Sequence, residues 1–201
     1  MIDYHKIATA IRHYNEAGFQ YIDVPWIISK ESIMITAPPG VRLFSTFAGE
    51  LVASGEQSFL EIRKELLTAR GYPALYQCVT PCFRDETNPD DLHLQYFMKS
   101  ELIGINWPTF EHKEEVPWAL LNFVIRKALD YFRIYAYEPE DELKVIDAPM
   151  PNSVVNHDIT IRGVEVGSYG YRYTDDFAWV YGTGVAEPRL TQVFRTKSQI
   201  K

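Results

Sequence analysis

Four strand-like stretches crowd into the last third of the chain, near residues 143–147, 153–161, 163–173 and 177–182, and only short turns separate them. A parallel pair needs a crossover of about a dozen residues or more, so strands joined this tightly pair antiparallel. Two further strands are read over Tyr76–Asp85 and Leu94–Gly104. The segment between them, Glu86–His93, is rich in Asn, Pro and Asp and suits a hairpin loop. Helical periodicity lies elsewhere. Ile7, Ala8, Ile11 and Tyr14 line one face of a helix over 3–17, with Gly18 just past its end. A second helix is expected from about Gly55 to Arg70 and a third over 114–135, the longest apolar stripe in the chain. A last helix is placed after Gly184, and Tyr21–Ile28 reads as a strand interrupted by Pro25. Helices set apart from a run of antiparallel strands make the class α+β: an antiparallel β-sheet flanked by helices.

At 201 residues the chain has room for one full domain, and a 46% apolar composition supplies its core. The expectation is a single domain over 1–201. A formal net charge of −7 argues against generic nucleic-acid binding, which draws on Lys and Arg neutralising phosphates. Cys78 and Cys82 stand four apart with no second pair to complete a zinc site, so they read as reduced thiols. No apolar run reaches membrane-spanning length, and Met1–Lys6 lacks the layout of a signal peptide. A soluble, cytoplasmic protein with no membrane partner is therefore expected.

The chemistry-bearing residues form three groups. Gly18-Phe19-Gln20-Tyr21-Ile22-Asp23-Val24-Pro25-Trp26 joins a helix to a strand carrying proline. Phe83-Arg84-Asp85-Glu86 is followed after a six-residue loop by His93, Phe97 and Glu101. With a period of two, Arg84 and Glu86 project from the same face, and Phe97 on the neighbouring strand offers a flat ring beside them. A guanidinium forks onto a phosphate, a carboxylate accepts an amino group and a phenyl ring stacks on a base. The plain alternative is an Arg–Glu ion pair on a hairpin with an aromatic cross-strand neighbour. The last group is Gly182-Thr183-Gly184-Val185-Ala186-Glu187-Pro188-Arg189-Leu190. Its glycines allow close backbone approach, and a helix N-terminus favours anions.

Taken in order, these groups resemble the three motifs of the class II aminoacyl-tRNA synthetases, over nearly the whole chain. The resemblance implies an ATP-dependent ligase that forms an acyl-adenylate. It implies ATP binding by Arg84, Glu86, Phe97 and Arg189, with Arg84 and Arg189 as the catalytic cations. Glu165, in Gly163-Val164-Glu165-Val166-Gly167-Ser168, looks like the carboxylate that holds Mg2+ between phosphates. Leu51–Gln57 resembles a loop that grips a substrate ammonium, which makes Glu56 and Gln57 candidates; Arg172 faces phosphate or the acid. Ser54 and Gln57 equally form a capping box. His157 and Asp158 are pocket-lining candidates or ordinary strand residues. The first motif implies a homodimer through 18–28. One departure is Pro188, where the family usually has an acid or a small residue. With no room for an anticodon-binding domain, the chain is ranked as an amino-acid ligase paralogue ahead of a full tRNA synthetase. The substrate is an amino acid or other small carboxylate, and tRNA or a carrier protein is the acceptor. The rival is a non-catalytic paralogue that senses an amino acid or nucleotide.

Overall fold

The computed structural model describes residues 1–38, 40–68, 71, 73–105 and 113–195. In chain order the elements are α1 (Tyr4–Glu16), β1 (Gln20–Tyr21), β2 (Ile27–Ile28), α2 (Lys30–Met34), β3 (Ser45–Thr46), β4 (Gly49–Leu51), α3 (Gly55–Glu61) and α4 (Arg63–Leu66). They continue with β5 (Ala74–Phe83), β6 (Tyr96–Ile105), α5 (Trp118–Phe132), β7 (Leu143–Asp147), β8 (Val155–Ile161), β9 (Val164–Tyr173), β10 (Ala178–Glu187) and α6 (Arg189–Arg195). The large sheet has the order β1-β5-β6-β10-β9-β8-β7, and a small one has the order β2-β4-β3. Every pairing in the large sheet is antiparallel except β1 with β5, which is parallel. The α+β class stands, with one parallel pair at its edge.

The large sheet is two-faced, and β6 shows why. Met98 and Leu102 point to one side, into a core shared with Ile7, Ala10 and Tyr14 of α1 and Leu121, Val124 and Ala128 of α5. Phe97, Lys99 and Glu101 alternate onto the other side, as the pleat requires. That second side is apolar only at one end, where Phe59 and Leu60 of α3 cover Ile103, Trp179 and Tyr181. The rest of it sets the charged Lys99 and Glu101 beside Phe97 and forms the floor of the candidate site.

Several boundaries differ from the sequence expectation, each for a local reason. The strand expected over 21–28 is two strands in different sheets, with Pro25 between them. Proline has no N–H to continue a ladder, and its carbonyl instead accepts the Ser58 hydroxyl at 2.7 Å. The helix expected from Gly55 to Arg70 breaks at Ile62 into α3 and α4; residues 69 and 70 lie outside the described residues. The helix expected over 114–135 starts only at Trp118, because Pro117 stands at its N-cap. The last strand does not stop at 182. It bulges between Thr183 and Val185 and runs to Glu187, which moves the start of α6 to Arg189. Among the described residues no helix is long and apolar enough to cross a membrane.

Candidate active site

The β5–β6 hairpin builds one wall of the site. Its register sets Cys82 opposite Phe97 and Phe83 opposite Tyr96, and the Arg84 N–H continues the ladder to the Gln95 carbonyl at 3.0 Å. The side chains then alternate as expected. Asp85 turns outward to Arg42 at 3.1 Å, while Arg84 and Glu86 turn to the polar face. The loop beyond is closed by Asp90, whose carboxylate accepts from the Leu92 and His93 N–H groups and the His93 ring. The His93 side chain does most to hold the Asp90 carboxyl down to about 2. This turn brings Leu92, His93 and Leu94 over the hairpin.

The opposite wall comes from the end of β10. Beyond the bulge, Ala186 pairs with Lys99 and Glu187 with Met98, which carries Pro188 and Arg189 alongside Phe97. Pro188 does not turn Arg189 away. It precedes the first helical residue, a place where no N–H is needed, and its carbonyl accepts from Gln192 at 2.9 Å. An open hollow lies between the walls, lined by Arg84, Glu86, Leu92, His93, Leu94, Phe97, Ala186, Pro188 and Arg189. The four nucleotide-binding candidates therefore meet at one place.

Both cations already have partners there. The Arg84 guanidinium lies 5.0 Å from the centre of the Phe97 ring, and its Nε donates to the Ala53 carbonyl at 3.3 Å. Arg189 donates to the Leu92 carbonyl and pairs with Glu165 on β9 at 3.3 Å. Glu165 is well exposed. Asp158 on β8 lies in the same neighbourhood: burial does most to raise its carboxyl, and the Glu165 charge raises it further. Two carboxylates that repel each other beside an arginine suit a divalent ion bridging to phosphate, since Mg2+ takes one or two carboxylates and keeps its waters.

The substrate candidates are placed differently. Glu56 and Arg172 are both buried and bind each other, with Arg172 donating to both Glu56 oxygens at 2.8 and 2.6 Å. Trp179 donates to Glu56 as well, while Arg172 also reaches Ser153 and lies 4.3 Å from the Tyr181 ring centre. Gln57 accepts from the Ala53 N–H and donates to Thr36. Ser54 accepts from the Glu56 N–H, so the capping reading holds for this serine. None of Glu56, Gln57 and Arg172 lines the hollow.

A cluster that sequence reasoning missed lies nearer. Glu101, almost wholly buried, takes Lys99 at 2.9 Å on one oxygen and the Ser54 hydroxyl at 2.7 Å on the other. Both charges share the face of Phe97, one and two same-face steps along β6, or about 7 and 13 Å. In the sequence Glu101 stands as the acid of the second motif, and Lys99, Ser100 and Glu101 form one polar run in an otherwise apolar strand.

This architecture, a largely antiparallel sheet flanked by helices, matches the fold of class II aminoacyl-tRNA synthetase catalytic domains. Pyrrolysyl-tRNA synthetase from Desulfitobacterium hafniense matches with a TM-score of 0.70 and 16% identity, over 96% of this chain and 68% of its own. A second structure from that organism, the pyrrolysyl-tRNA synthetase PylSc, gives 0.66 and 19% over 96% and 65%. A cytoplasmic serine-tRNA ligase from Naegleria fowleri in complex with AMP gives 0.67 and 17% over 90% and 50%. The chain thus spans from half to about two thirds of the length of these proteins. No family model and no curated protein matches the sequence.

Proposed function

We propose that the protein uses ATP to activate an amino acid as its acyl-adenylate and then passes the acyl group to an acceptor. The observation that carries this reading is the meeting of Arg84, Glu86 and Phe97, from the β5–β6 hairpin, with Arg189, from the start of α6, around one hollow. The base stacks on Phe97 and its amino group reaches Glu86. Arg84 leaves the ring and forks onto the α-phosphate, and Arg189 takes the outer phosphates or closes over the base. The chemistry of this lining suits an adenine nucleotide, and the serine-tRNA ligase of similar fold was solved in complex with AMP. Glu165, with Asp158 beside it, would hold Mg2+, which supplies charge neutralisation to the phosphates.

The acid lies further along β6. Its carboxylate is drawn toward Lys99, and its ammonium replaces Lys99 as the partner of Glu101. An acid with no amino group would leave Glu101 with less than it loses, which favours an α-amino acid over biotin. A carboxylate oxygen attacks the α-phosphorus in line, the bond to the bridging oxygen breaks and pyrophosphate leaves. The residues supply orientation and charge, and no covalent nucleophile is needed. The acceptor is tRNA or a carrier protein. The segment 18–28 exposes Tyr21, Trp26 and Ile27, and we assign it to a homodimer.

ATP–pyrophosphate exchange, screened against the twenty amino acids and biotin, tests this reading. Exchange with one or a few amino acids, lost in Arg84→Ala while the variant stays folded, is expected. Exchange with none, or unchanged exchange in the variant, refutes it.

A further inference from the structure

The face of β10 away from the hollow carries a charged residue that the nucleotide site does not use. Glu187 is fully buried, and its carboxylate is held from three directions. It accepts from the Asp3 N–H at 3.2 Å, from the Thr191 N–H at 3.1 Å and from the Thr191 hydroxyl at 2.7 Å, and Lys6 stands 3.7 Å away. Lys6 also binds the Thr191 hydroxyl and Asp3. The N-terminus of α1 is thereby tied to the first turn of α6. A second tie lies further along α1, where the Tyr14 hydroxyl donates to the Gly184 carbonyl at 3.0 Å, at the bulge of β10. A side chain at 184 would begin 2.4 Å from the Ser100 hydroxyl and 3.0 Å from the Tyr14 ring, so α1 sits directly on the bulge. The base of α1 is itself fixed, since the Tyr131 hydroxyl of α5 donates to the Lys6 carbonyl at 2.8 Å.

We infer that α1 is the strut of the nucleotide site and that Glu187 is the positioning residue through which it aims Arg189. This inference rests on the reading of the hollow as a nucleotide site. Arg189 is two residues beyond Glu187 and is the first residue of α6, so its direction follows from how that turn is held. On the hollow side its contacts are a carbonyl at 3.3–3.4 Å and an exposed carboxylate at 3.3 Å, which are weak constraints for a long side chain. On the far side the same turn is locked to α1 by a buried, four-partner carboxylate. A full-length protein with an altered lock should keep its fold and lose the aim of Arg189.

The test is calorimetric titration of the full chain with Mg-ATP, in wild type, Glu187→Gln, Arg189→Ala and the double variant. Glu187→Gln should weaken ATP binding roughly tenfold, and the same change in the Arg189→Ala background should weaken it less than twofold further. Lys6→Met is the second variant if Glu187→Gln does not fold, with the same comparison. Equal losses in both backgrounds, or undiminished ATP affinity in the Glu187 or Lys6 variant, overturn the inference. A wild type that does not bind ATP instead removes the functional reading beneath it.

Discussion

The guanidinium of Arg84 lies over the ring of Phe97, 5.0 Å from its centre, where a stacked base would lie. The same side chain is the natural partner of an α-phosphate. On the proposed function Arg84 has two places, and nucleotide binding would exchange one for the other.

That exchange separates two ligands. A cation on an exposed phenyl ring is worth about 0.5–1 kcal/mol, a factor of roughly 2–5 in affinity. Arg84→Ala should bind adenosine a few-fold more tightly, because the ring is free, and bind ATP at least tenfold more weakly, because a charge-assisted contact is lost. Parallel titrations with adenosine and ATP read both. Equal weakening for the two ligands would contradict the exchange.

Glu56 and Arg172 hold each other as a buried pair, and Trp179 donates to the same carboxylate. Replacing Glu56 with Ala leaves a buried guanidinium with no counter-charge and a Trp179 N–H with no acceptor. Breaking a buried pair in this way costs roughly 3–5 kcal/mol. Urea unfolding should show a loss of that size for Glu56→Ala.

Gly170 is set by close approach. A Cβ there would stand 2.3 Å from the Val155 carbonyl oxygen and 2.4 Å from the Tyr181 hydroxyl, which itself donates to Asn156 at 2.6 Å. Gly170→Ala should cost about 1–3 kcal/mol by overpacking. Urea unfolding measures it, and an additional Tyr181→Phe change, which removes the nearer side-chain atom, should recover part of the loss.

Among the described residues burial raises the Glu56, Asp158 and Glu187 carboxyls, and each makes stability depend on pH. Burial is the largest influence on Glu187 and raises it above its ordinary 4.5, against the pull of Thr191 and Lys6. Asp158 is raised above 3.8, first by burial and then by Glu165. A carboxyl whose folded value exceeds its unfolded one contributes stability that is complete below the unfolded value. That contribution is lost as pH rises through the folded value. The melting temperature should therefore fall as pH is raised from the ordinary carboxyl range through the raised folded values. The double variant Glu187→Gln, Asp158→Asn should show a smaller fall. A rise in wild type, or an identical slope in both proteins, would contradict the assignment.

Much of the hairpin was legible in the sequence because its rules are local. A period of two puts Arg84 and Glu86 on one face, and the Asn-Pro-Asp loop turns the chain so that Phe97 returns beside them. Other features depended on partners far along the chain. Glu56 could not be told from a ligand residue because Arg172 and Trp179 reach it from β9 and β10. The strand expected to end at 182 continues through Gly182-Thr183-Gly184, because Gly184 leaves room for Ser100 and Tyr14 to lie against the bulge. The Lys99–Glu101 pair could not be read from the strand alone, because Ser54, which donates to Glu101, lies 47 residues earlier in the chain.

The most direct measurement is a crystal structure of the protein with a non-hydrolysable ATP analogue and Mg2+. The account predicts the base on Phe97, its amino group at Glu86, and Arg84 moved from the ring to the α-phosphate. A nucleotide bound elsewhere, or Arg84 still lying on Phe97 beside a bound nucleotide, would contradict it.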